Sequence, residues 1–308
     1  MGEYINKYAN SAAIQNAVDG GELIKPYVAL DESTGLIDWN SKKVDYSKMY
    51  FTVEALSDGD FIVRNSGLGY SINNGEWQTT SANPTTLELS TGDKVRFKGS
   101  VSNGNNLFRG NTLQFNVIGN IMSLKYGDNF SEQTTIFTCN GMFQNCTGLT
   151  DASQLILPAT TLANECYYYM FDGCRSLTQT PQLPATTLAS GCYSFMFRGC
   201  TSLTTAPELP VTTLAKECYR SMFSSCSSLT TAPELPATTL ASSCYQSMFF
   251  NCRNLNYIKC LATDISATNC TNGWLTNVAS SGTFVTPSST NWSTGTSGIP
   301  TGWTRVDA

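Results

Sequence analysis

The chain contains 308 residues, of which 41% are hydrophobic and 13% are charged, and it has a formal net charge of −5 and no histidine. This length accommodates two or three domains, while the acidic balance and the lack of a basic run exclude nucleic acid and anionic membranes as expected partners. Without histidine the Ser-His and Cys-His catalytic arrangements are unavailable, and no glycine-rich phosphate loop is present, so we expect neither enzyme activity nor a cofactor.

Residues 1–47 are predicted to form an N-terminal anchor segment. Asn10 or Ser11 can cap a short helix that runs to Val18, where Gly20 and Gly21 follow. The first residues lack a basic start and an uninterrupted apolar stretch. We therefore expect neither a signal peptide nor a transmembrane segment.

The sequence YINKYAN at positions 4–10 and the pair Trp39-Asn40 carry a resemblance to known proteins. This stretch resembles the N-terminal segment of virion appendage proteins from phages and prophages of gut Bacteroidales. The resemblance implies attachment to other virion proteins, and the candidate anchor residues are Tyr4, Ile5, Tyr8 and Trp39. The alternative is that the segment only docks a helix and a strand onto the next domain.

Residues 48–136 are predicted to form an all-β sandwich domain. Short runs rich in β-branched and aromatic residues alternate with Gly, Asn and Asp, and Asn74-Gly75 is typical of a two-residue hairpin turn. Six or seven such strands favour a sandwich. Tyr70 and Trp77 are candidates for a glycan-stacking platform, with cross-strand packing of the two rings as the alternative.

Residues 137–278 repeat a 26-residue unit. Four copies begin at Cys166, Cys192, Cys218 and Cys244, and a less regular copy precedes and follows them. The constant Cys, Tyr, Met, Phe and Cys of each copy lie at spacings that match one stripe of a helix of period 3.6. We therefore predict two helical turns per unit, with a buried face and a variable outer face, followed by a short strand.

The repeated pattern MF-x-x-C-x-S-L-T followed by LPATTL carries a second resemblance. It resembles the BspA-type leucine-rich repeat of bacterial surface and virion proteins. Together with the fixed period, it predicts a mixed α/β solenoid of leucine-rich repeats, preceded by the β-sandwich and the N-terminal anchor segment. Residues 279–308 resemble the C-terminal cap of the same family.

Twelve cysteines raise the question of disulfides or metal. If each unit is helical, its two cysteines are separated by a rise of about 12 Å, beyond the roughly 7 Å that a disulfide tolerates between Cα atoms. The chain has no CxxC motif and no histidine, so we expect no metal site and interpret the thiols as small buried apolar groups. Cys139 and Cys260 lie outside the regular positions.

The variable outer face is the candidate binding surface. It places aromatic residues and arginine, the types enriched at binding hot spots, on a regular scaffold; they are Tyr168, Tyr169, Phe195, Arg198, Arg220, Phe250 and Arg253. The alternative is that this face varies because nothing constrains it. A homo-oligomer is compatible with either interpretation.

These observations predict a non-enzymatic phage virion appendage protein located on the virion surface. Its repeat region would bind a host-surface protein or glycan, and its N-terminal segment would bind other virion proteins. A phage protein needs no export signal because lysis delivers it. Two alternatives are a BspA-like adhesin on the bacterial cell surface and an architectural decoration protein that binds no receptor.

Overall fold

A computed structural model describes residues 29–30, 37–38 and 45–308. The chain divides into two compact units, Met1–Tyr46 and Ser47–Ala308. In the first unit, strand β1 (Ala29–Leu30) pairs antiparallel with strand β2 (Ile37–Asp38). The predicted helix at 10–18 and the anchor residues Tyr4, Ile5, Tyr8 and Trp39 lie outside the described residues.

The second unit begins with two facing β-sheets. Their strands are β3 (Phe51–Ala55), β4 (Gly59–Val63), β5 (Gly69–Ile72), β6 (Gln78–Thr79), β7 (Thr85–Leu89), β8 (Lys94–Lys98), β9 (Phe115–Asn120) and β10 (Leu149–Ile156). A six-stranded sheet has the order β10-β9-β3-β8-β5-β6, and a two-stranded sheet pairs β4 with β7.

Alternation of apolar and polar residues directs one face of each sheet into a shared core. Phe61 from β4 lies 6.2 Å, between ring centroids, from Phe97 of β8 and 5.2 Å from Phe115 of β9. The hairpin between β5 and β6 turns at Asn73-Asn74, where both residues have positive φ, one position earlier than predicted. Asparagine tolerates this conformation because its short polar side chain can bond locally.

The repeating units are not helical, and the predicted mixed α/β solenoid of leucine-rich repeats is wrong. Within the described residues the only α-helix is α1 (Ser123–Tyr126), which lies before the repeats. Each unit is instead a series of tight turns, with a residue of positive φ at every fourth position, such as Glu165, Tyr169 and Gly173. An α-helix cannot accommodate these residues, since φ in a right-handed helix is close to −63°.

Hydrogen bonds inside and between units alternate along each turn series. The Met196 amide donates to the Tyr193 carbonyl in its own unit at 3.2 Å, whereas the Phe197 amide donates to the Met222 carbonyl of the next unit at 2.9 Å. One in two amides is thus satisfied locally and the other tethers neighbouring units. The backbone is satisfied without a helix or a long strand.

Two buried ladders of aromatic rings run through the stack. Phe143, Phe171, Phe197, Phe223 and Phe249 stack at centroid distances of 5.3–5.8 Å. Four tyrosines form the second ladder at 5.8–6.1 Å: Tyr167, Tyr193, Tyr219 and Tyr245. Burying such a side chain stabilises the fold by about 1.5–3 kcal/mol, so the ladders supply much of the cohesion between units.

The β-sheet core continues directly into this stack. The loop at residues 104–110 follows the same turn pattern, and its Phe108 begins the phenylalanine ladder 5.7 Å from Phe143. Its Phe108 amide donates to the Met142 carbonyl at 3.0 Å. Strand β10, which follows the first predicted repeat, pairs parallel with β9. The β-layer therefore supplies the surface on which the first repeat packs.

The cysteines are free and buried, and their positions explain the regular spacing. The second cysteine of a unit donates its thiol to the carbonyl of the preceding unit's phenylalanine, at 2.9–3.3 Å, as Cys226 does to Phe197 at 3.1 Å. Cys139 takes the place of the ladder tyrosine one unit before Tyr167. Cys260 forms a parallel β-bridge with Leu235 and takes the position that this leucine has in the preceding unit.

Three parallel strands close the far end. Strand β12 (Gly282–Thr286) lies between β11 (Tyr257–Lys259) and β13 (Trp303–Asp307). Trp274 stacks on Tyr245 at 6.1 Å and on Trp292 at 5.5 Å. The tyrosine ladder is thus covered by tryptophan instead of ending in water.

Candidate ligand-binding face

Five of the predicted binding residues come together on the variable face. We call Tyr168, Tyr169, Phe195, Arg198 and Arg220 the aromatic–arginine patch. The Tyr169 ring stacks on Phe195 at 4.7 Å, and Tyr168 contacts Tyr169 edge-on at 4.2 Å. All five side chains are half-buried, so the patch is both fixed by packing and reachable from solvent.

Two arginines complete the patch. The Arg198 guanidinium carbon lies 4.9 Å from the Tyr169 ring centroid and 5.2 Å from that of Phe195. Arg220 lies 5.6 Å from the same phenylalanine ring. A cation at such distances is attracted by the negative face of an aromatic ring.

Asp172, which was not among the predicted binding residues, holds Arg198 in place. Arg198 donates to both carboxylate oxygens of Asp172, at 2.8 and 2.9 Å, and Gln144 donates a third hydrogen bond at 2.8 Å. The hydrogen bond to Asp172 raises the pKa of Arg198. The signal in the sequence was the succession Gln144, Asp172, Arg198 at one position of consecutive units.

Two aromatic residues of the patch have a strained backbone conformation. Tyr169 and Phe195 have φ values of 56° and 59°, which are unfavourable for a bulky residue. The equivalent positions in the next two units hold Ser221 and Ser247, at 52° and 53°. Large aromatic rings thus occupy a conformation that smaller residues adopt more easily, and strain of this kind clusters at functional sites.

Tyr168 remains neutral across the usual pH range. Burial, followed by the hydrogen bond from its hydroxyl to Tyr169, raises the pKa of Tyr168 to about 12. The patch therefore presents the neutral phenol of Tyr168 beside two guanidinium groups.

The remaining predicted residues lie elsewhere. Phe250 and Arg253 belong to a later unit, and no ring or cation–π contact among the described residues joins them to the patch. Tyr70 donates to the Gln78 side chain at 2.8 Å. Trp77 instead packs edge-on against Tyr50 at 5.2 Å, with the Lys98 nitrogen 4.3 Å from its ring centroid. In the described part of the chain, Tyr70 and Trp77 make no ring contact with each other.

Two glutamates at equivalent positions of neighbouring units, Glu208 and Glu234, line an open cavity of about 460 Å³ together with prolines. Lys259 forms an ion pair with Glu234 at 3.0 Å. Across the described residues, no group of three or more His, Cys, Asp or Glu side chains is arranged to hold a metal ion.

No protein-family model, curated protein or solved structure matches the chain. The described residues contain no helix that is long and apolar enough to span a membrane.

Proposed function

We propose that this chain is a non-enzymatic virion appendage protein whose aromatic–arginine patch binds a ligand on the host surface. The observation that carries the proposal is the patch: three aromatic rings and two arginines gathered on one face. Tyrosine and arginine are among the residue types that dominate binding energy at interfaces. The packed rings and the Asp172–Arg198 ion pair pre-organise the patch, which lowers the entropy cost of binding.

The strain at Tyr169 and Phe195 favours a binding role over unconstrained variation. A face that varies freely has no reason to keep bulky rings at positive φ, which costs about 1–3 kcal/mol at each residue. Serine at the same position in two other units shows that the fold does not require the rings. A binding role would give the rings a function that the fold alone does not.

Adsorption of particles to host cells tests the patch. Particles carrying Tyr169→Ser with Phe195→Ser should lose at least tenfold in adsorption rate, because the hot spot is removed while the backbone conformation is kept. The matched control is Tyr257→Ser, which removes an exposed ring outside the patch. Unchanged adsorption of the double variant, with normal assembly, would instead favour an architectural decoration protein that binds no receptor.

The virion location is supported by the resemblance of residues 4–10 to phage appendage proteins. Mass spectrometry of purified particles and of host outer-membrane fractions tests it. The chain should be enriched in particles together with the virion proteins that its N-terminal segment binds. Detection only in host envelopes would favour a bacterial surface adhesin that uses the same patch.

A further inference from the structure

The variable face also contains a basic cavity that the sequence did not reveal. The cavity has a volume of about 430 Å³ and is lined by Arg64, Asn106, Arg109, Gly110 and Asn145. Its residues come from three places: the end of β4, the repeat-like loop at 104–110, and the first repeat. They are distant in sequence, so only the fold brings them together.

Backbone contacts fix the geometry of this cavity. The Arg64 side chain donates from Nε to the Arg109 carbonyl at 3.0 Å. The Arg64 amide donates to the Leu107 carbonyl at 2.8 Å, and the Gly110 amide donates to the Gln144 carbonyl at 2.9 Å. The two arginines are therefore held at one site by the chain itself.

The positive charge of the cavity is not neutralised. Both Arg64 and Arg109 are exposed, and neither forms an ion pair with a carboxylate in the described part of the chain. Arg198 and Arg220, by contrast, pair with Asp172 and Glu217. Two neighbouring guanidinium groups without a counter-charge attract an anion, in a protein whose overall charge is negative.

The cavity lies on the same face as the aromatic–arginine patch. Arg109 occupies the position that Gln144, Asp172 and Arg198 occupy in the following units. The Gln144–Asp172–Arg198 hydrogen bonds connect the two sites. A ligand that extends along the stack would contact both.

We infer that the cavity binds the anionic group of an acidic sugar in a host-surface polymer. This inference rests on the proposed function and names its ligand class. A guanidinium group binds carboxylate or phosphate with two parallel hydrogen bonds. The side-chain amides of Asn106 and Asn145 can each donate a hydrogen bond to a sugar hydroxyl and accept one from it. A single aspartate or glutamate of a protein partner would leave these amides without hydrogen-bond partners. The volume falls within the range of small-ligand sites, about 300–1,000 Å³.

Calorimetric titration of the full chain tests the inference with three probes. They are an oligosaccharide that contains glucuronic acid, a neutral glucan oligosaccharide of the same length, and inorganic phosphate. We expect the acidic oligosaccharide to bind at least tenfold more tightly than either of the others, and more weakly as salt is raised. Equal binding of the two oligosaccharides would overturn the inference. Phosphate binding as tightly as the acidic oligosaccharide would overturn the assignment to a sugar polymer.

Charge-neutral variants locate the binding. Arg64→Gln with Arg109→Gln should weaken binding of the acidic oligosaccharide at least tenfold, whereas Arg175→Gln, which removes an exposed arginine elsewhere, should leave it unchanged. Equal loss in both variants would indicate non-specific attraction and refute the site. Thermal unfolding of each variant confirms that the fold is retained. If Tyr169→Ser with Phe195→Ser abolishes adsorption while the arginine variant does not, the proposed function stands and this inference fails.

Discussion

The two cysteines of each unit should respond in opposite ways to the same substitutions. The Cys226 thiol has a carbonyl acceptor 3.1 Å away, that of Phe197. The Cys218 thiol is equally buried and has no side-chain hydrogen bond among the described residues. At the same position of two other units, the cysteine sulfur lies 3.9–4.0 Å from the carbonyl oxygen of the next unit's cysteine. Each substitution removes a sulfur atom at both positions. The difference between the two changes in the free energy of unfolding therefore isolates the contribution of the hydrogen bond.

Serine at Cys226 keeps a donor within reach of its acceptor, whereas serine at Cys218 buries a hydroxyl without a partner. An unsatisfied buried hydroxyl costs about 1–3 kcal/mol. Cys218→Ser should therefore lower the free energy of unfolding by at least about 1 kcal/mol more than Cys226→Ser. With alanine the order should reverse, because Cys226→Ala loses a hydrogen bond worth about 0.5–1.5 kcal/mol and Cys218→Ala does not.

Urea unfolding followed by tryptophan fluorescence measures these differences, since Trp274 and Trp292 are buried at the end of the stack. A difference of 1 kcal/mol corresponds to about 2–4 °C in Tm for a domain of 150–250 residues. The same order of stability in the serine pair and in the alanine pair would refute the reasoning. It would show that packing alone, and not the thiol hydrogen bond, distinguishes the two positions.

Three further outcomes follow from the structure. Gly148→Ala should lower the free energy of unfolding by more than about 3 kcal/mol, because the added Cβ would lie 1.8 Å from the Leu113 carbonyl oxygen. Gly199→Ala should lower it by only about 1–2 kcal/mol, since the nearest atom to its Cβ would be 3.7 Å away. Equal Tm values of the two variants would contradict this. Tyr167→Phe should stabilise by about 1 kcal/mol, since this buried hydroxyl has no hydrogen-bond partner in the described part of the chain. A lower urea midpoint would show the opposite. Burial raises the pKa of Cys146 to about 12 and that of Cys192 to about 11, from an ordinary value of 9.0. Unfolded thiols lose their protons first as pH rises. The stability that these two thiols contribute should therefore be complete below their ordinary pKa of 9.0 and be lost as pH rises through the folded-state values. A urea midpoint that is no lower at pH 10.5 than at neutral pH would contradict this.

The repeat and the buried side of each unit could be predicted from the sequence, but the turn conformation of its backbone could not. Over nine residues, a stripe with a period of 3.6 and a series of four-residue turns place nearly the same positions on one side. The distinguishing signal was the small or polar residue at every fourth position, as in Gly141 and Asn145, or Gly273 and Asn277. Such residues favour positive φ, which interrupts a helix.

The aromatic–arginine patch could be predicted from the sequence, whereas the basic cavity could not. Tyr169 and Phe195 occupy one position of consecutive units, so alignment of the copies was enough to bring them together. Arg64 and Arg109 meet only because the loop at 104–110 packs like a repeat inside the β-layer. That loop lacks the Cys and Tyr of the other copies, and comparison of the copies therefore passes over it.

The hydrogen bonds between units join residues about one copy apart, as the bond from Phe197 to Met222 does. The number of units, and with it the length of the stack, can therefore change. Duplicating residues 192–217 would extend the molecule by one backbone layer, about 4.8 Å, while its β-layered base and its tryptophan-covered tip keep their own contacts. A lineage could adjust how far the tip stands from the base by gaining or losing whole copies, without redesigning either end.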